Sequence, residues 1–251
     1  MNISKKNFLL IDYQLSFLYL LIIMFVFALK YHYSIASSDD LEWILKPTAK
    51  LVETILNKPF IKESSTGYVN WEYNIIIAKS CAGINFFITA FCMQTFGSIK
   101  KIKILFKQLS FIIQHMIIIY ILTILVNTFR IIISIWLLNA DIYSKWLTKD
   151  QVHKITGIII FFSSLCVLYI ISKKISGKHK IIQSYLRPLA WYLIVIVLIP
   201  MIRGWGTNFN NQFLKHSFIV ILISFIIIFF FSSIQYIYEK TKNKSIRTKI
   251  H

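Results

Sequence analysis

The stretch LSFIIQHMIIIYILTILV, residues 109–126, decides the class of this protein. It runs for eighteen residues without an Asp, Glu, Lys or Arg. A helix of that length rises about 27 Å, close to the hydrocarbon thickness of a bilayer. Shortly before it lies a basic turn, Lys100-Lys101-Ile102-Lys103, with Lys107 beyond, and immediately after it the polar group NTFR, residues 127–130. A long apolar run between a basic end and a polar end reads as a membrane span.

Working outward, five more runs of this kind appear. The expected spans are 15–29, 82–99, 109–126, 155–171, 189–202 and 217–231, the first able to begin as early as Phe8. The chain of 251 residues is 57% hydrophobic, above the 45–50% or so of soluble domains. The expected fold is therefore an all-α polytopic membrane protein of six transmembrane helices, with residues 1–251 forming a single membrane-embedded domain. A net charge of +18 would suggest nucleic acid in a soluble protein. Here it reads as basic loops on the cytoplasmic face, and no nucleic-acid partner is expected. Three cysteines, Cys81, Cys92 and Cys166, have spacings that fit neither a zinc site nor a disulfide framework, so neither metal nor cofactor is expected. Richness in Ile, Lys and Asn hints at an AT-rich bacterial genome.

Orientation follows from loop charge. With the N-terminus inside, segments 1–14, 98–108, 172–188 and 232–251 face the cytoplasm and carry sixteen of the 28 basic residues but only two of the ten acidic ones. Six spans then put both termini in the cytoplasm, with 232–251 a basic cytoplasmic tail, disordered after Glu239. The segment 30–80 lies outside. Within it, LEWILKPTAKLVETILN (41–57) carries Leu41, Ile44, Leu45, Leu51, Ile55 and Leu56 at helical spacing, an amphipathic helix at the outer interface bent near Pro47. GYVNWEYNIIIA (67–78) is rich in β-branched and aromatic residues and predicts a short strand or hairpin. IIISIWLLNADIYSKWL (131–147) reads as a re-entrant or interfacial element, with an additional span as the competing reading.

This topology brings three chemically capable residues to the outer boundary: Cys81 at the start of the second span, Arg130 at the end of the third, and His153 at the start of the fourth. A thiolate attacks carbonyls, and a nearby cation favours it. Imidazole moves protons near neutral pH. A guanidinium stays charged and can hold an oxyanion. The set suits acyl transfer through a thioester. Around it, Asn127 shares a helical face with Arg130, Gly157 follows His153 by one turn, and Gly83 lies two residues after Cys81, where it lets substrate backbone approach the thiol or releases a strained entry to the helix. These three are the expected substrate-binding positions.

Each residue alone also has a plain structural reading. A cysteine at a membrane border is a small apolar residue, an arginine near a span end snorkels, and His153 beside Lys154 fits a solvated loop. Cys92 and Cys166 are assigned to packing. Arg203 and Trp205, in RGWGTNFNNQF, either line a substrate path or mark the interface. No Asp or Glu lies deep in a span, which argues against a proton-coupled transporter or a carboxylate-based intramembrane protease.

Taken together, SCAGINFF (80–87), NTFRI (127–131) and HKITG (153–157) resemble the signature of exosortases and archaeosortases: a cysteine followed by a small residue and glycine, then Asn-x-x-Arg, then His-x-x-x-Gly, each at the outer end of a span. The short chain is similar to compact subtypes such as exosortase K. The resemblance implies a membrane-embedded cysteine transpeptidase or peptidase that cleaves the sorting tails of exported proteins: a short motif, one apolar helix and a basic cluster. It then implies transfer to an acceptor at the outer face of the cytoplasmic membrane. It gives Cys81 the role of nucleophile, Arg130 that of oxyanion or substrate stabiliser, and His153 that of general acid/base. Ala82 stands where the family usually has serine, and the extra spans or C-terminal domain of longer members are missing. The alternative from another class is a non-catalytic membrane subunit of a surface-protein or polysaccharide export system. A transporter ranks last, since broken polar helices near mid-membrane are not evident.

Overall fold

A helix that is apolar all round has no face to give to water, so it goes to the centre of a bundle. The helix α3 (Ile84–Ser98) is such a helix, buried from Ile84 through Thr95 at all but one position. The computed structural model describes residues 3–72, 74–140, 148–175, 183–203 and 211–247. Six of its helical segments are long and apolar enough to cross a membrane: Tyr13–Ile35, Lys79–Lys101, Leu105–Asn139, Lys149–Lys173, Tyr185–Ile202 and Asn211–Ile234. The architecture is that of a multi-pass α-helical membrane protein. The chain groups into two compact units, Met1–Ile142 and Tyr143–His251, where the sequence reading took 1–251 as one domain.

In the first unit, α1 (Ile3–Ile35) packs on α3. Leu18, Ile22 and Val26 recur at one-turn spacing and are buried, while Phe17, Met24 and Phe27 point away from the protein. Tyr19 stacks on Phe96 at 5.2 Å, and Phe25 meets Phe91 edge-on at 5.9 Å. On another side of α3 lies α4 (Leu105–Asn139). It is one unbroken helix of 35 residues. The expected third span and the first half of the expected re-entrant element, 131–139, are thus a single element, and 141–147 lie outside the described residues. The polar group NTFR does not end the helix because Asn127, Thr128 and Arg130 are buried within the unit.

Between α1 and α3 come α2 (Glu42–Leu56) and the strands β1 (Ile61–Glu63), β2 (Gly67–Asn70) and β3 (Ile75–Ile77). The strands form an antiparallel sheet in the order β1-β2-β3, with Val69 opposite both Ile61 and Ile76. The expected hairpin is its β2–β3 half. The helix α2 is present, but its buried face is Ile44, Leu45, Thr48, Ala49 and Val52, packed on α4 and β2, whereas Ile55 is 60% exposed. The expectation that Leu51, Ile55 and Leu56 form one seam with Leu41 and Ile44 is corrected by this packing. The small Thr48 and Ala49 lie on the same buried face as Ile44, Leu45 and Val52, while Ile55 faces outward. Pro47 has no N–H to offer the Trp43 carbonyl one turn back. Tyr120 of α4 supplies the missing donor, its hydroxyl bonding Trp43 O at 2.6 Å with the two rings stacked at 5.8 Å.

In the second unit, α5 (Lys149–Ile175) packs on α6 (Gln183–Leu193) and on α8 (Asn211–Arg247). Thr148 and Gln151 start α5 with a reciprocal capping pair, at 2.9 and 3.3 Å. A π-helical turn, Ile194–Leu198, joins α6 to α7 (Ile199–Arg203). Pro200 follows it and cannot donate into the preceding turn, a usual setting for such a bulge. The expected disordered tail is corrected in part: α8 continues to Arg247, and 248–251 lie outside the described residues. Lys, Glu and Arg are good helix formers, and extending a helix needs no fresh nucleation.

Candidate active site

The expected nucleophile lies in a tight turn. Lys79–Cys81 form a single 3-10 turn, closed by Cys81 N–H donating to Ala78 O at 2.8 Å and Ala82 N–H to Lys79 O at 3.0 Å. Two residues on, Gly83 adopts φ +69° and then α3 begins. A residue with a side chain adopts that left-handed conformation at a cost. Cys81 is 5% exposed, outside any disulfide, with Ser80 Oγ 4.0 Å from its sulfur.

Three elements fix this turn. From α4, the fully buried Asn127 donates its Nδ2–H to the Cys81 carbonyl. From α1, the last turn is tied down by Lys79: its ammonium donates to Ser34 O at 3.1 Å and to Ala36 O at 2.6 Å. Those carbonyls are among the four that a helix end leaves without intrahelical partners, so a lysine there is well matched. From the connection after α1, Ser38 Oγ accepts the Lys79 N–H at 3.2 Å and donates to Thr66 O at 3.1 Å, linking the turn to the sheet. Below the turn, Lys30 of α1 donates to Asn85 Oδ1 of α3.

Of the two roles expected for Gly83, the conformation before α3 fits the strained entry to the helix. A Cβ there would lie 3.2 Å from Thr123 Cγ2 and 3.4 Å from Asn127 Cγ. The space left by the missing side chain is taken by α4. Gly83 and Asn127 therefore seat the Cys81 turn on α4.

Arg130 follows Asn127 by one helical turn and is 4% exposed. It belongs to a buried polar stripe, Thr123, Asn127, Arg130 and Ser134, spaced 4, 3 and 4 along one face of α4. Thr123 returns its hydroxyl to Ile119 O at 2.7 Å. Asn127 Oδ1 and Ser134 Oγ have no hydrogen-bond partner among the described residues. Leaving such atoms dry costs about 1–3 kcal/mol each, which apolar replacements would avoid. The Lys79 ammonium also sits 5.5 Å from the ring centroid of Tyr33 of α1.

Cys81, Gly83, Asn127 and Arg130, up to 49 residues apart in sequence, are thus brought together in the first unit. His153 and Gly157 belong to the second. His153 is half-buried on the second turn of α5, and Gly157 is buried one turn on. Beside His153, Lys154 pairs with Asp150 at 2.6 Å on the exposed side. Trp205 lies outside the described residues. Sequence reasoning missed Tyr33, Lys79, Thr123 and Ser134. The spacing of Thr123 and Ser134 about NTFR within an apolar run is a readable signal, whereas nothing local marks Tyr33.

No family model, curated protein or solved structure matches the chain.

Proposed function

We propose that the chain is a membrane-embedded cysteine transpeptidase that removes C-terminal sorting tails from exported proteins, working at the outer face of the cytoplasmic membrane with both termini inside. The observation that carries this reading is the seating of Cys81: a buried thiol in a turn held by Asn127, with Arg130 one helical turn further along the same face. A packing cysteine needs neither a buried guanidinium nor a buried amide beside it, and burying both in apolar surroundings is costly.

The chemistry runs in two halves. Cys81 gives its proton to a general base, the role the family resemblance assigns to His153, and the sulfur attacks the carbonyl carbon of the scissile amide. The C–S bond forms as the carbonyl π pair moves to oxygen, where Arg130 offsets the new charge. The carbonyl re-forms, the C–N bond breaks, and the leaving amine takes the proton back from that base. The acceptor, an amine or water, then loses a proton to the base and attacks the thioester. The C–S bond breaks and the thiolate recovers its proton.

The test compares C-terminal peptides of surface and membrane proteins, by mass spectrometry, in chromosomal strains carrying wild type or Cys81→Ala at matched abundance. Tail-bearing proteins that lose their terminal helix only in the wild type support the enzyme. Identical processing in both strains turns the reading to a non-catalytic membrane subunit.

A further inference from the structure

The second unit holds a polar cavity of its own, about 290 Å³ between the first turns of α5 and α8. Both helices are among the apolar spans, so the cavity opens where hydrocarbon gives way to water. None of its residues belongs to the proposed transpeptidase chemistry. From α5 come Asp150, Gln151 and Lys154, with Thr148 just before them, and from α8 come Gln212, Lys215 and His216. Two lysines against one aspartate leave this lining a formal charge of +1. Lys154 meets Asp150 at 2.6 Å, both side chains more than half exposed. An ammonium has three hydrogens, so Lys154 can serve Asp150 and still donate to a ligand. Lys215, on the other helix, makes no ion pair among the described residues.

The start of α5 leaves the cavity rich in donors. Gln151 Oε1 accepts the Thr148 N–H at 2.9 Å, and Thr148 Oγ accepts the Gln151 N–H at 3.3 Å. Each side chain thus spends acceptor capacity on the helix start and keeps its own hydrogens, the Thr148 hydroxyl proton and the Gln151 amide pair. His216 carries an N–H in either protonation state. The one carboxylate of the lining is already matched by Lys154. One turn beyond Gln151 and Lys215, Ile155 and Ile219 add apolar wall. We infer that this cavity binds a phosphate group, as inorganic phosphate or as the phosphate of a phospholipid headgroup. Such a group spreads its charge over several oxygens and accepts from both helices at once, with the lysines as its point charges.

The test uses the full-length protein in detergent at fixed ionic strength and reads the thermal midpoint. The probes are sodium phosphate against sodium chloride, and phosphatidylglycerol against diacylglycerol with the same chains. A saturable rise in the wild-type midpoint is expected. Sodium phosphate acting alone assigns the free anion, phosphatidylglycerol acting alone assigns the headgroup, and both acting assigns the shared phosphate. Lys154→Gln with Lys215→Gln should weaken the apparent Kd by about tenfold or more, and each single change by less. Asp150→Asn removes the negative charge from the lining and should tighten binding. Shifts of opposite sign separate ligand contact from a general loss of folding. The inference is overturned by no saturable rise with either phosphate probe, or by a diacylglycerol rise equal to that of phosphatidylglycerol with none from sodium phosphate. It is equally overturned by lysine variants that bind like the wild type, or by an Asp150→Asn that binds no tighter.

Discussion

At the scale of single residues, the site depends on Gly83 and Asn127 as much as on the thiol. Gly83→Ala adds a methyl at φ +69°, 3.2 Å from Thr123 Cγ2. The expected cost is about 1–3 kcal/mol from backbone strain and crowding, read as a lower midpoint in a detergent melt and as slower tail removal. Adding Thr123→Ser takes away the opposing methyl and should recover part of the loss, leaving the strain. Asn127→Ala strips the donor from the Cys81 carbonyl and should cost a similar amount. Arg130→Lys should lose most activity despite keeping the charge, because a lysine cannot reproduce the planar fork. Cys81, Arg130 and Asn127 were legible in the sequence as a depth, since three polar or reactive residues border spans on one side. Their contact was not. The bond between Asn127 and Cys81 joins positions 46 apart, and only the packing of α3 on α4 brings it about.

At the scale of elements, the spans were legible because apolar length alone marks them. The face of α2 was not. In a membrane protein large apolar side chains serve lipid as well as they serve the core, so Leu51 and Ile55 carry no inward signal, while the small Thr48 and Ala49 do. The joint between α2 and α4 gives a test. Tyr120→Phe should cost about 1 kcal/mol by removing the donor to Trp43 O. In a Pro47→Ala background the helix regains its own N–H there, and the same change should cost little. A double-mutant cycle by thermal melting in detergent reads the difference as the coupling. On the same helix, hydrogen bonding from Lys62, with Lys46 adding to it, holds the Glu42 carboxyl below its usual range, while Glu42 pushes Lys62 up. The sign follows: the contribution is present above the ordinary carboxylate value, is lost as acid protonates Glu42, and at the other extreme is lost as alkali deprotonates Lys62. Both side chains are exposed, so the effect is small. Melts at acid and neutral pH should show wild type losing more than Lys62→Gln.

At the scale of the whole molecule, orientation is the claim to test. A single cysteine in the exposed turn, Glu72→Cys, should react with a membrane-impermeant maleimide on intact cells. Lys103→Cys, in the basic turn between α3 and α4, should react only after permeabilisation. The reverse pattern would put the Cys81 turn on the cytoplasmic side and end the sorting-tail reading. Loop charge carries this expectation, because basic residues crowd the turns it assigns to the inside. The length of α4 was not readable, because NTFR looks like the end of a span when its burial against α3 is unknown. That same long-range contact also sets a clock. Cys81 leaves the ribosome 46 residues ahead of Asn127, roughly 2–9 s earlier at ordinary rates of synthesis. Through that interval the thiol turn has no seat on α4, so a nascent chain halted before residue 127 carries Cys81 without the hydrogen bond that Asn127 later gives its carbonyl.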